Sequence, residues 1–179
     1  ILRWQLLSQN QIANTSTIRL QASIYVGANN ISWSRGSASL HTSSFTLANT
    51  YYRGETVVHT TDVVIPHDAS GNGSIYIAGS INTSFLMSGN CGGTINLPRI
   101  DRNAPSISIS SKTVGEQLAT FNYSTNSTLD SLQGRLNNGS WQNISMSNPI
   151  TLSNLEDDTD YTYQIRGKKA SNQIWGNSN

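Results

Sequence analysis

Thr17–Val26 constrains the fold more than any other stretch. Ile18, Leu20, Ala22, Ile24 and Val26 alternate with Thr17, Arg19, Gln21, Ser23 and Tyr25. A period of two sustained over ten residues puts one set of side chains on each face of an extended strand, one face buried and one wet. No segment offers a comparable amphipathic helix. Similar runs recur at Ile1–Leu7, Ile31–Arg35, Glu55–Ile65, Ser74–Ser80 and Thr94–Leu97. Turn residues separate them, and Gly89–Gly93 reads as a break. Glu55–Ile65 places Val57, His59, Thr61 and Val63 on one face. Pro66, which lacks an N–H, ends that run. Short strands at such spacing predict an all-β sandwich.

Ile100–Pro105 is polar and closes the first strand series, so it predicts a boundary between domains at 1–102 and 103–179. Beyond it, Ser106–Ser111, Leu118–Ser124, Leu132–Leu136, Ile150–Leu155 and Tyr161–Lys168 read as strands. Asn138-Gly139 is a two-residue hairpin signal, since both residues tolerate positive φ. About six strands are expected in this half, a sandwich lacking its last one. The chain opens at Ile1 and is expected to be a piece of a longer protein.

Charged residues make up only 12% and the formal charge is +1, which argues against a nucleic-acid binder needing a clustered basic face. The one cysteine, Cys91, excludes an intrachain disulfide and a Cys-based zinc site, and is expected to be buried as a small hydrophobe. No stretch reaches the apolar length that spans a bilayer as a helix. Eight Asn-Xaa-Ser/Thr sequons reflect a chain rich in those residues more simply than they mark glycosylation.

Candidate chemistry is sparse. His67 and Asp68 adjoin Pro66, but no nucleophile motif accompanies them, and Asp68 suits a turn in which its carboxylate bonds nearby N–H groups. Asp68, Ser70 and Asn72 echo the start of a calcium loop, yet Gly79 stands where its glutamate belongs. His41, His59 and His67 lack ligand spacing. Glu156, Asp157, Asp158 and Asp160 crowd one turn as a solvated edge, which leaves Glu55 and Asp62 to weigh for hydrolysis. No catalytic residue, metal or cofactor is assigned. Aromatic residues beside loops are the better lead, because sugar sites pair an apolar platform with a few placed polar groups. Trp33 with Arg35, and Tyr51 and Tyr52 with Arg53, fit that description. Adjacent strand residues face opposite ways, so at least one of Tyr51 and Tyr52 is expected in the core. Trp4 is expected there too, with Trp141 and Trp175 covering the second sandwich.

Leu155, Thr159 and Tyr161 within L-E-D-D-T-D-Y-T-Y-Q-I-R resemble the corner between strands E and F of fibronectin type III domains. The resemblance implies that Leu155 and Tyr161 are structural, with the Tyr161 hydroxyl bonding back to the backbone. Phe121 stands where that family carries a tryptophan. The first half resembles tail-associated structural proteins of siphoviruses infecting Gram-positive bacteria, streptococci above all. The residues concerned are V-I-P-H-D-A-S-G-N-G-S-I (Val64 to Ile75), L-P-R-I-D-R (Leu97 to Arg102), I-A-N-T-S-T-I-R-L (Ile12 to Leu20) and Y-R-G-E-T-V-V-H (Tyr52 to His59). It implies a jelly-roll-like or related sandwich in which Pro66, His67, Asp68 and Gly71 are structural. It further implies a virion part acting at the bacterial surface, with host cell-wall polysaccharide and other virion subunits as partners and a homo-oligomer, a trimer, as its assembly. The competing expectation is a structural module that binds no saccharide.

Overall fold

The computed structural model describes residues 1–32, 36–83 and 88–178. It is all-β, and the chain divides into two compact units, Ile1–Ile100 and Asp101–Asn179. The boundary falls at Asp101 rather than after Arg102 because Asp101 belongs to the second unit's hydrogen bonds. Its carboxylate takes Lys169 Nζ at 2.6 Å and its carbonyl takes the Asn172 side chain at 3.1 Å.

The first unit contains β1 (Leu2–Asn10), β2 (Thr15–Val26), β3 (Ile31–Ser32), β4 (Gly36–Leu40), β5 (Ser43–Thr46), β6 (Thr50–Tyr51), β7 (Gly54–Pro66), β8 (Gly73–Thr83) and β9 (Ser88–Leu97). One sheet has the order β1-β2-β7 and the other β5-β4-β8-β9, while β3 and β6 form a small ribbon. A three-stranded layer packs over a four-stranded one, which makes this unit a β-sandwich. Ile18 and Leu20 of β2, Leu40, Ile65, Ile77 and Leu97 fill the space between the layers. Burying each such side chain contributes about 1.5–3 kcal/mol. A second cluster of Ile24, Val26, Leu47 and Tyr51 continues the core.

Two β-bulges reset what simple alternation predicts. Ala22 pairs with His59 but Ser23 pairs with Val57, so Val58 is an extra residue on β7. Val58 therefore faces inward and Val57 is 51% exposed, whereas His59, Thr61 and Val63 stay together on one face, the partly buried one. A second shift between Leu6 and Ser8 turns Gln9 toward Ser16.

Gly89–Gly93 is not a break. It lies within β9, paired residue for residue with β8 from Asn82↔Ser88 to Gly73↔Leu97. Backbone bonding needs no side chain, and the Tyr76 hydroxyl lies where a Gly92 Cβ would be, at 2.6 Å. Edge position also explains two burial differences. Cys91, on β9, is exposed rather than buried. Trp4, on edge strand β1, remains 44% exposed.

The second unit contains β10 (Ile107–Gly115), β11 (Leu118–Thr125), β12 (Leu129–Leu136), β13 (Gln142–Ile144), β14 (Ile150–Ser153), β15 (Tyr163–Lys169) and β16 (Trp175–Asn177). Sheets of order β10-β11-β14 and β13-β12-β15-β16 enclose Ile107, Leu132, Ile150 and Ile165 in an immunoglobulin-like sandwich. The last strand, expected to be missing, is present in short form. β16 pairs with β15, and Ser178 bridges in parallel to Ile107. The Tyr161 hydroxyl accepts the Glu156 N–H at 3.0 Å, closing the corner. Phe121 stacks on Tyr163 with ring centroids 5.3 Å apart. The β12–β13 turn centres one residue early. Asn137 and Asn138 carry the positive φ values, 47° and 59°, and Gly139 N bonds Leu136 O at 2.9 Å.

Candidate functional site

His67 lies at a junction of three segments. Its Nδ1 is 2.7 Å from Gly71 O, and a carbonyl only accepts, so Nδ1 carries the hydrogen. Nε2 lies 2.7 Å from the Ser16 hydroxyl, a hydrogen bond within the core. Ser16 Oγ in turn accepts from Gln9 Nε2 at 3.1 Å, and the same amide donates to Pro98 O at 2.8 Å. Gly71 O also accepts the Ile100 N–H at 2.9 Å, and Arg99 Nε donates to Ser70 O at 2.8 Å. Asn14 Nδ2 donates to the carbonyls of His67 and Asp68. A Cβ on Gly73 would stand 2.6 Å from His67 Nε2, so the glycine is what lets the ring seat.

This is a serine–histidine pair with the outward form of a nucleophile and its base. Ser16 is 1% exposed and His67 9%, so no substrate reaches the hydroxyl. Asp68 does not orient the imidazole. Its Oδ1 accepts the N–H groups of Ser70 (2.9 Å) and Asn72 (2.8 Å), and Oδ2 accepts Asn72 Nδ2 (3.3 Å). Bonds from Asn72, backbone first and then side chain, hold the Asp68 carboxyl below the usual aspartate value. The calcium-like spacing is thus a self-bonded turn. Pro66, Asp68 and Gly71, the last at φ 85°, shape that turn.

The other polar candidates disperse. His59 stacks on Phe45 at 4.3 Å, and among the described residues no group of three or more His, Cys, Asp or Glu side chains gathers as a metal site would. Glu55 pairs with Arg3, and Asp62 takes Arg19 through both oxygens at 2.8 and 2.9 Å.

Trp33 and Arg35 lie outside the described residues. Tyr51 is 5% exposed, and its hydroxyl accepts the Ala48 N–H at 3.1 Å. A ring within the core offers no stacking face, so Tyr51 anchors β6 instead of forming a platform. Tyr52 points the other way and is 70% exposed. Exposed Arg53 follows it, with its N–H held by Asn30 Oδ1 at 3.2 Å. Tyr52 and Arg53 are therefore a surface aromatic and a cation presented from a core-anchored strand end.

A second aromatic surface was not singled out by sequence reasoning as a site. Arg166 Cζ lies 4.5 Å from the Trp141 ring centroid and 4.7 Å from that of Trp175, and Arg135 Cζ lies 4.6 Å from Trp141. Arg166 Nε donates to Gln133 Oε1 at 2.8 Å and Arg135 Nε to Gln164 Oε1 at 2.7 Å. The polar phase of Tyr163–Lys169 (Gln164, Arg166, Lys168) was the available signal, but the tryptophans that join it come from two other strand ends.

No protein-family model matches this chain, and neither does any curated protein.

Proposed function

We propose that the chain is an adhesion module of a siphovirus-type tail, recognising saccharide on the host cell wall through its first unit. The observation that carries this reading is the exposed Tyr52 ring followed in sequence by exposed Arg53, just after a strand end fixed by buried Tyr51. Aromatic faces stack on the C–H side of sugars while charged forks and amides take hydroxyls. The junction around His67 supports the resemblance, since three of its four motifs meet there and would be kept together by folding alone. Fluorescently tagged chain should bind walls of particular streptococcal strains and lose that binding when wall polysaccharide is stripped. Tyr52→Ala should weaken retention without altering the fold. No binding to any strain, even with the chain multimerised, defeats the reading.

One observation favours an assembly role instead. Of the four edges of the two larger sheets described in the first unit, β1 carries Arg3 and a bulge, β7 carries Glu55, Asp62, a bulge and Pro66, and β5 has only four residues. β9 has ten residues, no charge, no proline and no register shift. Edges built without such protection pair with other strands. Sedimentation of wild type against Asn90→Lys and Thr94→Lys separates the readings. Concentration-dependent self-association abolished by the lysines supports assembly, and a monomer at all concentrations removes it.

A further inference from the structure

Strand register defines the outer face of the β13-β12-β15-β16 sheet. Leu132, Ile165 and Gly176 alternate inward, so Gln133, Arg135, Gln164, Arg166, Lys168 and Trp175 lie on the opposite side, with Trp141 beside Arg135 just ahead of β13. Three cations share this face. Among the described residues, the carboxylate that pairs with a cation of this face is Asp130, at the β12 bulge, 4.0 Å from Lys168. Arg135 and Arg166 each spend Nε on a glutamine. Among the described residues neither meets a carboxylate, so their Nη groups remain as donors. Arg166 is shared between two indoles. A guanidinium held that way is pre-oriented, and less freedom is lost when it meets an anion.

From this geometry we infer a second binding site, on the second unit, for an anionic saccharide: a sugar bearing a phosphate group. The phosphate engages the Nη edges of Arg135 and Arg166, where charge-assisted bidentate bonds form. The sugar ring lies against an indole, with Gln133 and Gln164 fixing the guanidinium planes from behind. Charge complementarity chooses the occupant, because three cations, one of them paired with Asp130, repel a basic ligand and gain little from a neutral one. The ligand class rests on the saccharide-binding reading above, but the site does not involve Tyr52.

The test is titration of the whole chain with glucose 1-phosphate, glucose and inorganic phosphate, followed by NMR of the indole N–H and arginine Nε–H signals. Glucose 1-phosphate should shift the signals of Trp141, Trp175 and Arg166 saturably. Binding should weaken with added salt, and about tenfold or more in Arg166→Gln. Arg166→Lys keeps the charge but loses the fork, and should also bind weakly. Backbone spectra of both variants show whether the sheet stays intact. Tyr52→Ala should bind as wild type does, so failure of the first-unit reading leaves this result standing, and the converse also holds. Equal binding of inorganic phosphate overturns the saccharide assignment, and equal binding of glucose overturns the anionic one. No shift of these signals by any of the three overturns the site.

Discussion

At His67 a single imidazole ties β2 to the turn after β7, and neighbouring bonds add the segment after β9. Gly73→Ala would press a methyl group into that ring and should cost about 1–3 kcal/mol by urea unfolding. The same change in a His67→Ala background should cost much less, because the ring it strikes is gone. Equal costs in both backgrounds would show that the glycine serves something else. Asp68 makes a pH prediction. Its folded pKa lies below the unfolded value of 3.8, so its stabilisation is fully present above 3.8 and is lost as pH falls through the lower folded value. Asp62, lowered by its bond to Arg19, loses stability in the same direction. Asp68→Asn should therefore flatten the acid limb of a stability–pH curve, leaving the part due to Asp62. A curve of unchanged shape would place the acid sensitivity elsewhere. Tyr163 has the opposite sign. Burial raises its pKa above 10.0, so its contribution is complete below pH 10 and lost as the pH climbs through the folded value.

At the scale of the element, the bulge at Val58 decides which valines matter. Val57 and Val63 have the same parity, and uninterrupted alternation puts them on one face. The extra residue exposes Val57 and leaves Val63 against the core. Val57→Thr should change stability by no more than about 0.5 kcal/mol, and Val63→Thr should cost about 1–3 kcal/mol for the hydroxyl it buries. Similar costs would mean β7 runs without the bulge. The strand itself was legible in its β-branched run, but the bulge was not, because nothing local marks the residue that is skipped. β9 misled in the opposite way. Its glycines lower local strand preference, yet ten partners on β8 supply the ladder and Tyr76 covers Gly92.

At the scale of the whole molecule, each unit rests on its own aliphatic core. Leu20→Ala in the first and Ile165→Ala in the second should each cost about 2–5 kcal/mol, read by amide exchange in the strands of the unit altered. A change within about 0.5 kcal/mol at either position would mean that residue is not central to its core.

The sequence by itself determined the all-β class and the inward phase of β2, because each depends on neighbours a few residues apart, and the fibronectin-type resemblance pointed to the corner at Tyr161. It also determined that of Tyr51 and Tyr52 one would be buried, but not which. Tertiary structure decided the rest. Ser16 reaches His67 across 51 positions, the bulges choose faces, and Trp141 and Trp175 meet at Arg166 from strand ends far apart in the chain. The reason is physical: alternation records which side a residue takes on its own strand, whereas register, bulges and the packing of layers fix which residues face one another across strands.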